Sequence, residues 1–238
     1  MDVRRLVAEI DTDLRARGTP DRAAHEKAYL KSELEHYGTT VPDIRSVVKT
    51  VGRRRPQLGH DDLIAVVVTL WAAPVHERRM AAVELLERHA DLLEPRDMDL
   101  LERLLRESRT WALVDGLAAS VVGDLVERHP ELAAVLDRWA TDEDFWIRRS
   151  ALLALLGGLR RGDGDFDRFS RYADAMLEEK EFFVRKAIGW VLRETAKQRP
   201  TLVYEWLLPR AGRASGVTLR EAVKPLSEQQ RTAVLAAR

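Results

Sequence analysis

A tryptophan and an aspartate lie four residues apart within residues 110–116 of the sequence. On a helix, Trp111 and Asp115 would share one face and lie one turn apart. Burying a carboxylate on such a face costs free energy unless the group has a cationic partner or a chemical task. A cation bound there would meet both the carboxylate charge and the negative face of the indole ring. The alternative is a surface aspartate beside a tryptophan that anchors the core.

Aromatic and basic side chains are interleaved in residues 181–194. Phe183, Lys186 and Trp190 follow the spacing of one helix face, and Arg193 continues the stripe. Such a stripe suits a nucleic-acid backbone, because rings pack on sugars or bases while cations contact phosphates. The alternative is a core stripe from which the basic side chains reach solvent.

Two neighbouring arginines form a third candidate group. Arg148 and Arg149 follow the apolar residues 145–147. Adjacent residues of a helix point about 100° apart, so at most one of the two faces any given groove. Surface arginines without a binding role are the alternative.

Basic residues are concentrated in two segments, although 39 basic and 39 acidic residues leave the chain without net charge. Residues 180–224 contain 10 Lys or Arg against 4 Asp or Glu, and residues 45–55 contain five basic residues and no acidic one. The two segments could form one basic concave surface that faces a polyanion. Ordinary solvated helix faces are the alternative.

Several common chemistries are excluded by missing residues or motifs. The sequence has no cysteine, and its 6 histidines do not form an HExxH or another familiar metal-binding pair. Glycine-rich nucleotide loops are absent as well. We therefore expect no metal ion and no cofactor. With no apolar leader and no stretch of about 20 apolar residues, the sequence predicts a soluble cytoplasmic protein that does not enter membranes.

The elements that must position these residues are predicted to be helices throughout. Apolar residues recur at helical spacing, and short loops with glycine or proline separate the segments. Residues 64–70 have the composition of a buried strand but lie between helices, so we predict a buried helix there. Helix pairs at a period near that of ~40-residue HEAT-type repeats predict an all-α superhelix that forms a single domain over residues 1–238. A compact helical bundle is the alternative architecture.

Two segments near the end of the chain have the spacing of a capping box. In such a box the first side chain accepts a hydrogen bond from the backbone amide three residues later, and the side chain of that later residue accepts one from the first amide. They begin at Thr218, with Glu221 three residues later, and at Ser227, with Gln230 three residues later. Both predict the start of a helix.

Taken together, these residues resemble the DNA alkylation repair family of HEAT-like repeat glycosylases, the AlkD type. The specific matches are the Trp111–Asp115 pair, residues 180–194 and residues 220–224. Weaker matches cover residues 28–32, 42–45, 70–77, 123–124, 129–132 and 146–149. The resemblance covers most of the chain.

The resemblance implies a monofunctional glycosylase that acts on N3- and N7-alkylated purines in double-stranded DNA. It implies catalytic roles for Asp115, Trp111 and Trp190, and a DNA contact for Arg149. Tyr29 matches a tyrosine of the family's cleft. We further expect DNA contacts from Arg148, Lys186, Arg193, Phe183 and Arg45, a monomer, and association with the nucleoid through DNA.

The sequence departs from this family at two positions. Thr110 replaces an aromatic residue of close relatives, and Thr40 replaces a glutamine at the cleft edge. Both put the choice of substrate in doubt, not the reaction class. A non-catalytic protein that binds DNA structures, or a HEAT-type adaptor for other proteins, are the alternative functions.

Overall fold

The computed structural model of the protein describes residues 2–54 and 57–238, which fold into helices joined by short connections. Arg55, the last of the basic residues predicted in residues 45–55, lies outside the described residues. In the described part, the β pairing consists of one isolated bridge between Glu35 and Val75. The all-α fold is confirmed.

The α-helices follow one another with few residues between them. In chain order they are α1 (Val3–Arg17), α2 (Pro20–Leu30), α3 (Val41–Arg54), α4 (His60–Trp71), α5 (His76–Arg88), α6 (Met98–Ser108), α7 (Trp111–Gly116), α8 (Gly123–Arg128), α9 (Ala133–Trp139), α10 (Phe145–Leu153), α11 (Leu156–Arg161), α12 (Phe166–Ala175), α13 (Phe182–Ala196), α14 (Pro200–Leu207), α15 (Gly216–Ala222) and α16 (Glu228–Ala236). Short 3₁₀ turns occupy Ala90–Leu92, Pro95–Asp97, Pro130–Leu132 and Leu208–Arg210, and a π-helical turn occupies Leu117–Val122.

The helices cluster into two compact units. The first unit contains Met1–Asp97 and Ser108–Leu117, and the second contains Met98–Glu107 and Ala118–Arg238. The expectation of a single domain over residues 1–238 stays a prediction. Across the described ranges, none of the helices combines the length and the apolar character that crossing a bilayer requires.

The core of the first unit is built by α1, α3, α4 and α5. In α4, Leu63, Val66, Val67 and Leu70 are almost completely buried, at the spacing of one helical stripe. Full burial of such a side chain contributes about 1.5–3 kcal/mol. The helix predicted over residues 64–70 is therefore confirmed, because its apolar residues meet neighbours on the core side.

The second unit has α13 at its centre, packed against α10, α11, α14 and α15. Val184, Ala187, Ile188 and Val191 of α13 are fully buried. A Cβ atom on Gly189 would lie 2.9 Å from the Thr218 carbonyl oxygen. The absence of a side chain at this position thus allows α13 and α15 to approach closely.

Of the two predicted capping boxes, one is confirmed and one is wrong. Ser227 and Gln230 form the reciprocal box at the start of α16. Helix α15 begins before Thr218, because the Ser215 side chain accepts a hydrogen bond from the Thr218 amide and caps that helix. The serine three residues upstream therefore sets the helix start.

A buried carboxylate holds the segment that leads into α3. Glu77, in the first turn of α5, has no exposed surface. Its carboxylate accepts hydrogen bonds from the backbone amides of Tyr37 (3.0 Å), Gly38 (2.6 Å) and Thr39 (3.2 Å). A carboxylate at this end of a helix also interacts favourably with the helix dipole. Glu77 therefore fixes residues 37–39 against the start of α5.

Glu102 makes the corresponding connection between α6 and α9 in the second unit. Its carboxylate accepts hydrogen bonds from Arg138 (2.6 Å), from Arg106 (2.7 Å) and from the Trp139 indole (2.8 Å). The bond to Arg138, with those to Trp139 and Arg106, lowers the pKa of Glu102 to about 2 despite partial desolvation. The carboxylate thus stabilises the fold in its charged form.

We expect Glu102→Gln to lower the free energy of unfolding by about 2–3 kcal/mol at pH 7. A carboxyl group whose pKa is lower in the folded state stabilises the fold above its ordinary pKa, near 4.5. That contribution is lost as the pH falls through the folded value. Urea unfolding of variant and wild type should therefore show a difference in the free energy of unfolding that narrows below pH 4.5 and approaches zero near pH 2.

Glu178→Gln is the matched control for this effect. The Glu178 side chain is 68% exposed and pairs with Arg213 at 2.7 Å on the surface of the same unit. Exposed pairs contribute less than about 1 kcal/mol. If the difference in the free energy of unfolding between Glu102→Gln and wild type did not change with pH, the charge of Glu102 would not be what stabilises the fold.

Candidate functional site

A cavity of about 240 Å³ opens in the first unit between α2, α3, α5 and α7. Two aromatic rings line it, Tyr29 from α2 and Trp111 from α7, and its apolar wall includes Met80 and Val83 of α5. Pockets of this type, apolar with a few polar groups, bind small organic groups.

The two rings of the cavity contact each other edge to face. The ring centroids of Tyr29 and Trp111 lie 6.2 Å apart, and the ring planes are perpendicular. Tyr29 is 69% exposed, whereas Trp111 is half-buried. An exposed tyrosine held against a fixed indole offers ring surface to a ligand without a large loss of side-chain entropy.

Asp115 follows Trp111 by one turn on α7, so the predicted helix over these two residues is confirmed. Its side chain is half-buried and shares the Trp111 side of the helix. A Cβ atom on Gly116 would lie 2.8 Å from a Glu87 carboxylate oxygen and 2.9 Å from Val83 Cγ1. Gly116 thus allows α7 to lie close against α5, which fixes the position of Asp115.

The cavity is acidic. Glu26, Glu84 and Glu87 line it, and the basic residues of the lining are Arg45 and His76. Arg45 Nε donates to Glu84 Oε1 at 2.8 Å, while 62% of the Arg45 side chain is exposed. Carboxylates beside two π faces attract a positively charged ring. The DNA contact expected of Arg45 stays a prediction.

In the second unit, the stripe predicted on α13 lies on its less buried side. Lys186 is exposed and its amine lies 5.8 Å from the centre of the Phe182 ring, while Trp190 is half-buried. Arg193 donates to Glu194 and to Glu221. The interleaving of aromatic and basic side chains is therefore real, and its contact with DNA stays a prediction.

Phe183 and the two arginines of α10 lie together near the start of α13. The Phe183 ring packs on Trp146, with centroids 4.8 Å apart, and buried Arg149 donates to the Phe183 carbonyl oxygen. Arg148 donates to the carbonyl oxygens of residues 142 and 143 and pairs with Glu179 at 2.6 Å. These bonds hold the connection to α13, and the expected DNA contacts of both arginines stay predictions.

The three residues expected to be catalytic fall in different units. Trp111 and Asp115 belong to the first unit, and Trp190 belongs to the second. Their combination in one catalytic cleft stays a prediction.

The two departures from the family pattern have structural surroundings of their own. Thr110 precedes α7 and is buried, and its hydroxyl has no hydrogen-bond partner among the described residues. At the start of α3, the Thr40 hydroxyl oxygen accepts a hydrogen bond of 3.2 Å from the Asp43 amide. Thr40 thus supports a helix end.

Sequence reasoning did not identify the acidic residues of the cavity. Glu84 and Glu87 lie three residues apart on α5, and Glu26 lies on α2. The spacing of the first two is ordinary for a solvated helix face. Their shared cavity depends on contacts between distant segments, which leave no local pattern.

Comparison with known proteins agrees with the resemblance seen in the sequence. A family model described as DNA alkylation repair enzyme matches residues 10–226. A predicted DNA alkylation repair enzyme from Enterococcus faecalis has a similar fold, with a TM-score of 0.79 and 22% identity, and the match covers 89% of this chain and 98% of that one. AlkD2 from Streptococcus mutans follows with a TM-score of 0.66 and 15% identity over 95% and 100% of the two chains. No curated protein matches the sequence.

Proposed function

Because the chain belongs to the family of DNA alkylation repair enzymes, we propose that it is a monofunctional DNA glycosylase of alkylation repair. Its substrates would be N3- and N7-alkylated purines in double-stranded DNA. The reaction would hydrolyse the bond that joins the damaged base to its deoxyribose. Membership of the family supports a role in the repair of alkylation damage, and the choice of reaction and substrate is our proposal.

One observation carries this proposal: Trp111 lines an acidic, aromatic-lined cavity, and Asp115 follows it by one turn on the same short helix, although Asp115 is not among the lining residues. An N-alkylated purine carries a positive charge before any bond breaks. Carboxylates and ring faces attract such a cation. The same groups have no evident use in a protein that only contacts the phosphate backbone of DNA.

The chemistry places few demands on the protein. When the C1′–N bond breaks, its electron pair moves to the base, which leaves as a neutral purine. Positive charge then develops on the sugar. A fixed carboxylate stabilises this charge and orients the water molecule that adds to C1′ and releases one proton. We assign this role to Asp115 and a neighbouring ring surface to Trp111. The catalytic role expected of Trp190, which belongs to the second unit, stays a proposal.

The remaining candidates are proposed to hold the DNA. Lys186 and Arg193 on α13 would contact phosphates, because cations supply the sequence-independent part of DNA affinity. Arg149 on α10 is buried and donates to the Phe183 carbonyl oxygen, so its contribution would be to hold the start of α13. Phe183 and Arg148 would support this surface from within the second unit, through the contacts described above.

The experiment that tests the proposal is a mass-spectrometric inventory of the bases released from alkylated duplex DNA. We expect N3- and N7-alkylpurines to be released faster than by spontaneous loss, with intact strands until alkali is added. Salt-sensitive DNA binding without base release at high protein concentration would instead favour the non-catalytic DNA-binding protein. No affinity for DNA at low salt would favour the adaptor.

Tyr29→Ala should slow base release by about 3–10-fold. The substitution removes the ring that stands edge-on to Trp111, and an aromatic pair contributes about 0.5–1.5 kcal/mol. Single-turnover rates with alkylated duplex DNA measure the effect.

Tyr29→Phe keeps the ring and is the matched control, so it should release bases at the wild-type rate. Since Tyr29→Phe keeps the ring and Tyr29 is 69% exposed, this variant should not change the thermal midpoint. Equal rates for Tyr29→Ala and wild type would remove Tyr29 from the site.

A further inference from the structure

Two buried histidines and a glutamate form a cluster at one end of the cavity. The rings of His36 and His76 are stacked, with centroids 4.5 Å apart and planes 8° from parallel. Glu26 Oε2 lies 3.8 Å from His36 Nδ1. The three residues each offer one ligand atom, and these atoms all lie within 4.8 Å of one another.

Four buried polar atoms of this cluster lack hydrogen-bond partners among the described residues. The His36 side chain is 1% exposed and His76 is 2% exposed. Both ring nitrogens of His36, Nδ1 of His76 and Oε2 of Glu26 have no hydrogen-bond partner within the described chain. Buried polar atoms are rarely left in this state. The lone pairs of this cluster therefore lack the protein partners that such atoms normally have.

The backbone fixes the two histidines beside each other. The Glu35 amide donates to the Pro74 carbonyl oxygen, and the His76 amide donates to the Glu35 carbonyl oxygen, both at 2.9 Å. Glu77 holds the residues that follow His36. The position of both rings is thus set by bonds that do not involve the rings themselves.

Glu26, in contrast, lies on a helix that packs weakly against the rest of the first unit. Helix α2 carries Glu26 and Tyr29, and it buries none of its side chains. A ligand that joined Glu26 to the two histidines would fasten α2 to the start of α5. It would thereby also fix the helix that presents Tyr29 to Trp111.

We propose that Glu26, His36 and His76 bind one divalent cation of the Zn²⁺ class. Two imidazoles and one carboxylate are a donor set typical of zinc sites that keep a fourth position open. Burial lowers the pKa of His76, so its imidazole is neutral and able to bind a metal at neutral pH. His76 and Glu26 also line the cavity, and the open position would face it.

Binding requires a local rearrangement of the rings. In-plane lone pairs of two parallel rings do not converge on one point, so one imidazole must turn out of the stack. Zinc–nitrogen distances of about 2.0–2.1 Å also require the ligand atoms to move closer together than they are here. The cluster therefore changes shape on binding, and NMR can detect this change.

The test uses the full chain without a histidine tag, treated with chelator and titrated with Co²⁺ and then with Zn²⁺ as competitor. We expect one cation per chain, a visible Co²⁺ spectrum of four-coordinate type, and a higher thermal midpoint with Zn²⁺. Imidazole NMR signals of His36 and His76 should shift, and those of His25 and His129 should not.

Glu26→Gln and His36→Gln should each weaken Zn²⁺ binding by at least about 100-fold, because each removes a direct ligand and loss of an outer-shell partner alone costs about 10–100-fold. Glu26→Gln keeps the shape of the side chain and leaves both rings in place, which separates loss of a ligand from loss of packing. His25→Ala, an exposed residue next to Glu26, is the matched control and should bind as wild type does.

Absence of Co²⁺ and Zn²⁺ binding by wild type would overturn the proposal, as would unchanged affinity in Glu26→Gln and His36→Gln. No measurement in this set uses DNA. The outcome is therefore independent of whether the protein releases alkylated bases.

Discussion

Asp115→Asn should release alkylated purines about 10²–10³-fold more slowly than wild type. Asparagine has the same shape but no negative charge, so it cannot stabilise the cation that develops on the sugar. Loss of one fixed electrostatic group in an active site typically costs this factor. Single-turnover release from alkylated duplex DNA, corrected for spontaneous loss, measures it.

Two further measurements show whether this loss is specific. Asp13→Asn changes the same charge on an exposed residue of α1 and should leave the rate unchanged. Asp115→Asn should bind undamaged duplex DNA at least as tightly as wild type, because a negative charge has been removed. A wild-type rate of release in Asp115→Asn would exclude Asp115 from catalysis.

Much of the fold could be predicted from the sequence because helices follow a local rule. The apolar residues of α4 and α13 recur at the spacing that one buried stripe requires, and both segments are helices. The pairing of Trp111 with Asp115 on one helix follows from the same rule. These helices and this pairing depend only on the local periodicity of the sequence, so they could be predicted from one sequence.

Caps were predicted less well, because several residues compete for one helix end. Thr218 and Glu221 have the spacing of a capping box, yet Ser215 caps α15 and Glu221 accepts from Arg193 and Lys224. Both arrangements satisfy the Thr218 amide, which donates to the Ser215 side chain here. The choice between them depends on packing against α13, which a local pattern does not contain.

The polar clusters of the first unit could not be predicted, because they join residues far apart in the chain. His36 and His76 are 40 positions apart, as are Tyr37 and Glu77. Spacing rules for metal-binding histidines describe ligands on one element. Here the bridge between Glu35 and Val75 brings two elements together, and this pairing has no signature in either segment.

The same pairing connects the cation site to the cavity. Residues 35–39 are bonded to residues 74–77, and α5 continues from there to Glu84 and Glu87 in the cavity wall. Glu77 lies at the junction, because it binds the amides next to His36 and follows His76 directly. One buried carboxylate thus supports both sites without belonging to either.

Glu77→Ala should therefore lower the free energy of unfolding by about 3–5 kcal/mol. The Glu77 carboxylate accepts hydrogen bonds from three backbone amides. The substitution removes this acceptor and leaves the three amides buried without one, which is costly. Urea unfolding, with the slope compared between variant and wild type, gives the change in stability. Amide hydrogen exchange should lose protection at Tyr37, Gly38 and Thr39 in particular.

Glu77→Gln and Glu33→Ala separate the possible causes of such a loss. Glutamine keeps one acceptor oxygen but turns an N–H group toward backbone donors, so its effect should lie between those of alanine and wild type. Glu33 is 89% exposed in the same unit, and its replacement should change stability by less than about 0.5 kcal/mol. If Glu77→Ala were as mild as Glu33→Ala, the segment 35–39 would be held by its backbone pairing with residues 74–77 alone. His36 and His76 would then stay in place without the carboxylate.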